Sequence, residues 1–297
     1  MTPEEARARL APFGEDQLER LDFGGELLAD SHAHLDMLAD PSGALARAAL
    51  AGVGFIATVA NVVEDAERTF SQLDAWLGEA REILDAAGLP EVRLPEVRII
   101  VGVHPHDARL ATPDVDAAIE RYAADPRVCG IGEVGLDYYY DHSPREVQRE
   151  VFARHLALAS RLDLPVCIHL RDAHEDGLAI LGEVGLPARG AVLHCITVDA
   201  GTIAPFVALG CTPSFAGPLT FKKAEEIRAA ASSVDPLNVM VETDCPFMAP
   251  EPWRGKKNEP ALVAYTAARM GELHGLARAD AARSTAAVAR RIYGWSR

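Results

Sequence analysis

Along most of the chain, short apolar runs rich in Val, Ile and Leu alternate with longer stretches whose apolar residues recur at helical spacing. The first pattern predicts strands buried on both faces, and the second predicts amphipathic helices that cover them. The candidate strands are ELLADSH (26–32), GFIATVA (54–60), VRIIVGV (97–103), VCGIGEV (128–134), PVCIHL (165–170), AVLHCI (191–196), CTPSFA (211–216) and VMVETD (239–244). Eight strands alternating with helices predict an α/β fold, a single-domain (β/α)8 TIM barrel. The barrel is expected over 26–297, behind a helical leader over 1–25, with a long helix and a turn-rich tail over 71–96. An open doubly wound sheet would call for a glycine-rich loop after an early strand, and no GxGxxG follows any of the first three candidate strands; the one match, GIGEVG (130–135), lies within the fourth. No low-complexity tract, solenoid-period repeat or Gly/Ser/Pro-rich linker divides the chain.

The 297 residues, 49% of them hydrophobic, suffice for one large core. With 44 acidic against 29 basic residues the net charge is −15, which argues against wrapping duplex DNA by phosphate neutralisation alone. Bound divalent cations would locally reverse that field and draw in an anionic substrate. The five cysteines form no CxxC pair and mostly sit in apolar runs, which predicts buried thiols in a reducing compartment. No apolar stretch reaches the ~18 residues of a membrane span, and MTPEEARARL is too polar for a signal peptide. A cytoplasmic location is expected, with no membrane association and no obligate protein partner.

In such a barrel the C-terminal strand ends build the active site. The first strand brings His32 and His34, two positions apart and therefore on one side. The fourth brings Glu133, the fifth His169, the sixth His194 and the eighth Asp244. Any one of these histidines could be a hydrogen-bonded core residue. Six buried polar side chains packed together would each cost roughly 1–3 kcal/mol if left without partners, and metal ions satisfy all of them at once. The donors suffice for two divalent ions, one held by His32, His34, Glu133 and Asp244 and the other by Glu133, His169 and His194, with Glu133 bridging. Such a pair activates water for phosphoryl displacement, and Asp244 is the candidate to take its proton. A nitrogen-rich set suits Zn²⁺, Mn²⁺ or Ni²⁺ better than Mg²⁺.

The motifs DSHAHLD, VGVHPHD, GIGEVGLDYYY, REVQREVFARHLALASRLDLPVCIHLRDA, LHC, PSFAGPLTFKKA and ETDCPFMAPEPWRGKKNEP together resemble the TatD family of metal-dependent deoxyribonucleases, in order and spacing, from about residue 28 to the C-terminus. The resemblance implies a (β/α)8 hydrolase that cleaves phosphodiester bonds, commonly as a 3′ to 5′ exonuclease on single-stranded DNA or oligonucleotides. The family is commonly described as magnesium-dependent. By motif match the same six residues take its metal-ligand positions, and His104 in VGVHPHD joins the active site. Two features depart from the family pattern. Ile196 and Val198 replace the aromatic residue and glycine usual after HC, and the leader is longer than usual.

A phosphodiester substrate also needs cationic donors. The candidates are Arg171, two residues after His169; Lys222 and Lys223 after the seventh strand; and Arg254, Lys256 and Lys257 in the last loop. Tyr138, Tyr139, Tyr140 and Trp253 could stack on bases or pack the barrel rim. His142 and His174 could face the site from loops. Two other functions fit the same scaffold. One is an amidase, lactonase or phosphotriesterase-like hydrolase, many of which carry a carboxylated lysine where this chain has Glu133. The other is a metal-bound scaffold without turnover, which would be expected to have lost a ligand.

Overall fold

In a computed structural model of the protein, residues 1–11 and 21–296 are described. Eight strands, β1 (Leu28–Ala33), β2 (Val53–Asn61), β3 (Glu96–Gly102), β4 (Val128–Asp137), β5 (Val166–Arg171), β6 (Ala191–Leu193), β7 (Thr212–Phe215) and β8 (Met240–Val241), pair in sequence order, each parallel to the next. A parallel bridge between Ala33 and Cys245 joins the two edges, so the sheet closes into a (β/α)8 barrel.

Helices follow the strands as the periodicity predicts: α2 (Pro41–Leu50), α3 (Ala66–Ala86), α4 (Pro113–Ala123), α5 (Arg145–Arg161), α6 (His174–Val184), α7 (Ala200–Leu209), α8 (Glu225–Ser233), α9 (Val263–His274) and α10 (Arg278–Tyr293). The long helix expected over 71–96 starts earlier and stops at Ala86, where Gly88 adopts φ +83° and turns the chain. In the leader, α1 (Pro3–Leu10) is started by a capping box between Thr2 and Glu5. Its Ala6 joins the main core together with Phe23. The rest of the expected leader helix region, residues 12–20, lies outside the described residues.

Alternation along the strands separates two apolar layers. Phe55, Ala57, Val59, Ile100, Cys129, Cys167, Val192 and Met240 fill the barrel interior, while Ile56, Ile99, Val101 and Ile131 face the helices. Tyr293 and Trp295, at and beyond the end of α10, stack on Phe55 with ring centroids 6.1 and 5.4 Å away. They plug the end of the barrel where the strands begin, and the cavity opens at the opposite end.

Two strands, β6 and β8, stop three residues before their apolar runs end. The sixth ends at Leu193 because Cys195 turns to φ +49°, although His194 and Ile196 still donate to Ile168 and Ser214 carbonyls at 3.0 Å. The eighth ends at Val241 because Thr243 binds Asp30 through both its amide and its hydroxyl, at 2.8 and 2.6 Å. Asp244 then takes φ +54°. Four of the five cysteines are buried and Cys195 is partly exposed; all are free thiols. Among the described residues no helix is long and apolar enough to cross a membrane.

Candidate metal centre

The open end of the barrel holds a cavity of about 890 Å³, and side chains from β2, β4, β5 and the segments after β1, β3, β6 and β8 converge on it. Glu133 is the hub. It leaves β4 where the β4–β5 register shifts between Ile131 and Val134, and the glycines around it are what let β4 lie so close to β5. At Gly132 (φ +151°) an added Cβ would fall 2.7 Å from the Cys167 carbonyl oxygen, and at Gly135 (φ +144°) it would run into the His169 carbonyl.

The two oxygens of Glu133 face different partners. Oε2 lies 3.2 Å from His32 Nε2 and 3.8 Å from His34 Nε2. Oε1 lies 2.7 Å from His169 Nδ1, 2.9 Å from His194 Nε2 and 3.4 Å from His104 Nε2. Asp244 Oδ1 stands 3.5 Å from His34 Nε2 and 3.9 Å from His32 Nε2. His32 and His34 do share a side, with their Nε2 atoms 3.3 Å apart. Among the described residues, three groups place their donor atoms closely enough to hold a metal ion: His32 with His34 and Glu133, His32 with His194 and Asp244, and His104 with Glu133 and His169.

The donor chemistry fits a metal. Two ligands on one tetrahedral ion stand ~3.3 Å apart when each bond is ~2.0–2.1 Å, and several of the distances above fall near that value. Burial, then the neighbouring His194, lowers the pKa of His32, and burial lowers that of His104 to about 4, so both imidazoles are neutral. Burial alone would raise Glu133, but His194, His104 and His32 outweigh it and hold the carboxylate well below its usual range. Burial opposes protonation of the other three imidazoles, but Asp244 raises the pKa of His34, Asp137 and then Glu133 raise that of His169, and Glu133 with Glu242 raises that of His194. A bound cation would displace those protons.

Behind the donors lies a second ring of carboxylates that the sequence reading missed. Asp137 Oδ2 lies 3.2 Å from His169 Nε2 and 2.9 Å from His106 Nε2, and its Oδ1 accepts the backbone N–H groups of Tyr139 and Tyr140. Glu242 is fully buried; its Oε1 accepts from the Cys195 amide at 2.7 Å and lies 3.2 Å from His194 Nδ1. Carboxylates in these positions fix the tautomer and orientation of ligating imidazoles. Parity was the available signal. Asp137 stands four positions after Glu133 on the same side of β4, and Glu242 two before Asp244; His106 lies in a short 3-10 helix, Pro105–Leu110, where strand parity does not hold.

The proposed substrate contacts divide. Arg171 lines the cavity, as does Arg109, which the sequence reading did not single out. Lys222 and Arg254 are not brought there. Lys222 lines a separate recess with Phe221 and Arg228, and the Arg254 guanidinium sits 4.4 Å over the Phe221 ring. Sequence distance from a strand end does not say which way the following loop turns, and both of these loops turn away from the cavity. Tyr140 and His142 line it, whereas Tyr138, Trp253 and His174 do not.

Comparison with known proteins gives the family and the fold. The family described as TatD related DNase matches residues 29–294. The metal-dependent hydrolase YcfH of Escherichia coli is 36% identical over 264 residues, covering 87% of this chain and 92% of the relative. A protein of Klebsiella pneumoniae named 3′-5′ ssDNA/RNA exonuclease TatD is 34% identical over 179 residues, 59% of this chain and 68% of that protein. Among solved structures, YjjV, a TatD homologue from Escherichia coli, shares the fold with a TM-score of 0.79 at 24% identity, covering 91% of this chain and 98% of that one.

Proposed function

The chain belongs to the TatD family of metal-dependent hydrolases, and on that premise we propose that it is a deoxyribonuclease that removes nucleotides from the 3′ end of single-stranded DNA or oligonucleotides, using two divalent cations that Glu133 and the surrounding histidines would hold. The observation that carries this reading is the division of Glu133, with one oxygen turned to His32 and His34 and the other to His169, His194 and His104. The name of the Klebsiella relative supports the substrate class.

His32, His34, Glu133 and Asp244 would hold one ion, and Glu133, His169 and His194 the other. The imidazole content favours Zn²⁺, Mn²⁺ or Ni²⁺ for tight binding, with Mg²⁺ a further candidate for turnover. When bound, such a pair polarises a phosphoryl oxygen and makes water acidic enough to be activated near neutral pH.

The remaining work falls to the chain. Asp244 accepts the proton of the attacking water as the new oxygen–phosphorus bond forms and the bond to the 3′ oxygen of the preceding nucleotide breaks. That oxygen takes up a proton from solvent. His104 Nδ1 accepts the His106 amide N–H at 3.2 Å, so the neutral ring carries its proton on Nε2, facing the cluster, where it can donate to a phosphoryl oxygen. Arg171 supplies a fixed cation for a neighbouring phosphate.

The test is incubation of purified protein, loaded in turn with Mn²⁺, Zn²⁺, Ni²⁺ or Mg²⁺, with 5′-labelled single-stranded DNA, duplex DNA and RNA. A ladder shortening from the 3′ end of the single strand, abolished by chelator and by Asp244→Asn, is expected. No cleavage under any metal, or cleavage that persists in Asp244→Asn, overturns the reading.

A further inference from the structure

Three planar groups stand in a column on the cavity rim beside the metal centre. The Arg171 guanidinium carbon lies 4.8 Å from the Tyr140 ring centroid and 4.1 Å from that of Tyr139. Tyr140 and His142 are parallel to within 8°, with centroids 5.6 Å apart. His106 meets both edge-on, at 5.4 and 4.7 Å. Tyr139 and Tyr140 are 59% and 49% exposed, a large aromatic area to leave in water.

The backbone beneath this column is held on every side. Asp137 Oδ1 accepts the amides of Tyr139 and Tyr140, and Gln148 donates to the Asp137 and Ser143 carbonyls. The Ser143 hydroxyl donates to the His106 carbonyl at 2.7 Å. A loop whose backbone is fixed while its aromatic faces stay wet is prepared for a planar ligand, because little ordering cost remains to be met on binding. The neighbouring aromatics lack this arrangement: the Tyr138 hydroxyl is committed to Asp176 at 2.5 Å, with Arg145 over the ring, and Trp253 does not line the cavity.

We propose that the Arg171–Tyr140–His142 column is a stacking subsite for a nucleobase flanking the scissile phosphate, with Arg109 and Arg171 as the cations that receive the adjoining backbone. The proposal rests on the nuclease reading above and adds to it where the base is held. Its position follows from Asp137, which faces the candidate ligand His169 with one oxygen and anchors the column's loop with the other. Stacking on a ring and a guanidinium is tolerant of base identity, so the subsite grips a base without selecting among the four.

Single-stranded oligonucleotides carrying an abasic residue at the terminal or penultimate position test this on the Mn²⁺-loaded protein. The wild type is expected to lose ~10-fold or more in kcat/KM when the base is missing at one of these positions. The Tyr140→Ala, His142→Ala double variant is expected to lose a similar factor on the intact strand and nothing further on the abasic one, while Tyr140→Phe, which keeps the ring, behaves as wild type. Equal cleavage of abasic and intact strands by the wild type, or a base preference that survives in the double variant, overturns the subsite and leaves the nuclease reading standing. Failure of the wild type to cleave any oligonucleotide overturns both.

Discussion

The backbone N–H of Asp244 donates to the carbonyl oxygen of His32 at 3.0 Å, and the barrel seam closes at this point. The His34 amide donates in turn to the Cys245 carbonyl at 2.9 Å, and β8 contributes only two residues to the sheet. The weakest edge of the barrel is therefore fastened between candidate ligands from its first and last strands. A cation gripped by His32, His34 and Asp244 would cross-link the seam. A divalent ion at a hundred times its Kd is expected to stabilise the fold by about 2.7 kcal/mol. Thermal melts with and without chelator measure this, and hydrogen exchange should slow most at the Asp244 and His34 amides. A melting temperature unaffected by metal would show that the seam does not depend on it.

Asp137 gives a second prediction because its two oxygens have separable roles. In Asp137→Asn the amide oxygen can still accept the Tyr139 and Tyr140 N–H groups, but its NH₂ would face the Nε2 atoms of His106 and His169, now 2.9 and 3.2 Å from a carboxylate oxygen. His169 would lose the acceptor that directs Nδ1 toward Glu133. Metal affinity is expected to fall ~10–100-fold with little change in fold, measured by calorimetric titration with Zn²⁺ or Mn²⁺. Unchanged affinity would assign Asp137 to the rim loop alone.

The pH dependence of stability offers a third test, at a carboxyl group that lines the cavity but is not among the candidate ligands. Asp65 accepts the Asn61 amide at 2.8 Å, while burial, and then the nearby Asp36 carboxylate, push its pKa up to about 6. The unfolded chain ionises this group at ~3.9, so the folded protein holds its proton over a range in which the unfolded chain has released it. Stability contributed by this group is thus lost as pH rises from about 4 to about 6 and stays lost above. Asp65→Asn keeps the hydrogen-bond acceptor and removes the charge. After discounting for solvent screening at a partly exposed site, it should stabilise the chelated protein by about 1 kcal/mol at pH 8, and the gap should narrow toward pH 4. Urea melts across that range would count against the assignment if the gap were constant.

The legible and illegible parts of the site differ in their physics. His32, His34, Glu133, His169, His194 and Asp244 could be read because each ends an apolar run, where a polar residue has no ordinary reason to be, and because side-chain alternation sets their direction. Asp137 and Glu242 share that spacing while His106 sits in a helical turn, and all three do their work through contacts with other side chains that exist only once the strands close. The placing of Lys222 and Arg254 was hidden for the opposite reason: the loops 221–224 and 250–258 turn away from the cavity, and no periodicity encodes the direction of a loop. The early ends of β6 and β8 were hidden too, since Cys195 and Asp244 leave the strand through backbone turns that neither residue type announces.

Gly132 is where the fold and the chemistry meet most tightly. Its φ of +151° is one that side chains rarely adopt, and an added Cβ would lie 2.7 Å from the Cys167 carbonyl oxygen, 2.8 Å from Cys167 Cβ and 3.0 Å from Ile100 Cγ2. The first two are on β5, which also carries His169. Gly132→Ala must therefore push β4 from β5, and the residue carried away by that shift is Glu133, whose Oε1 is 2.7 Å from His169 Nδ1. A displacement of a few tenths of an ångström is small for a barrel with eight paired strands but large against the ~0.2 Å tolerance of a ligand bond. The variant should fold with a loss of about 1–3 kcal/mol, as overpacked cores do, yet bind metal at least ~10-fold more weakly. Serine, which also adds a Cβ, should behave as alanine does. Circular dichroism melts alongside metal titration separate the two effects. A variant that keeps full metal affinity while losing stability would show that the centre tolerates movement of β4, and the ligand role proposed for Glu133 would then lose its geometric support.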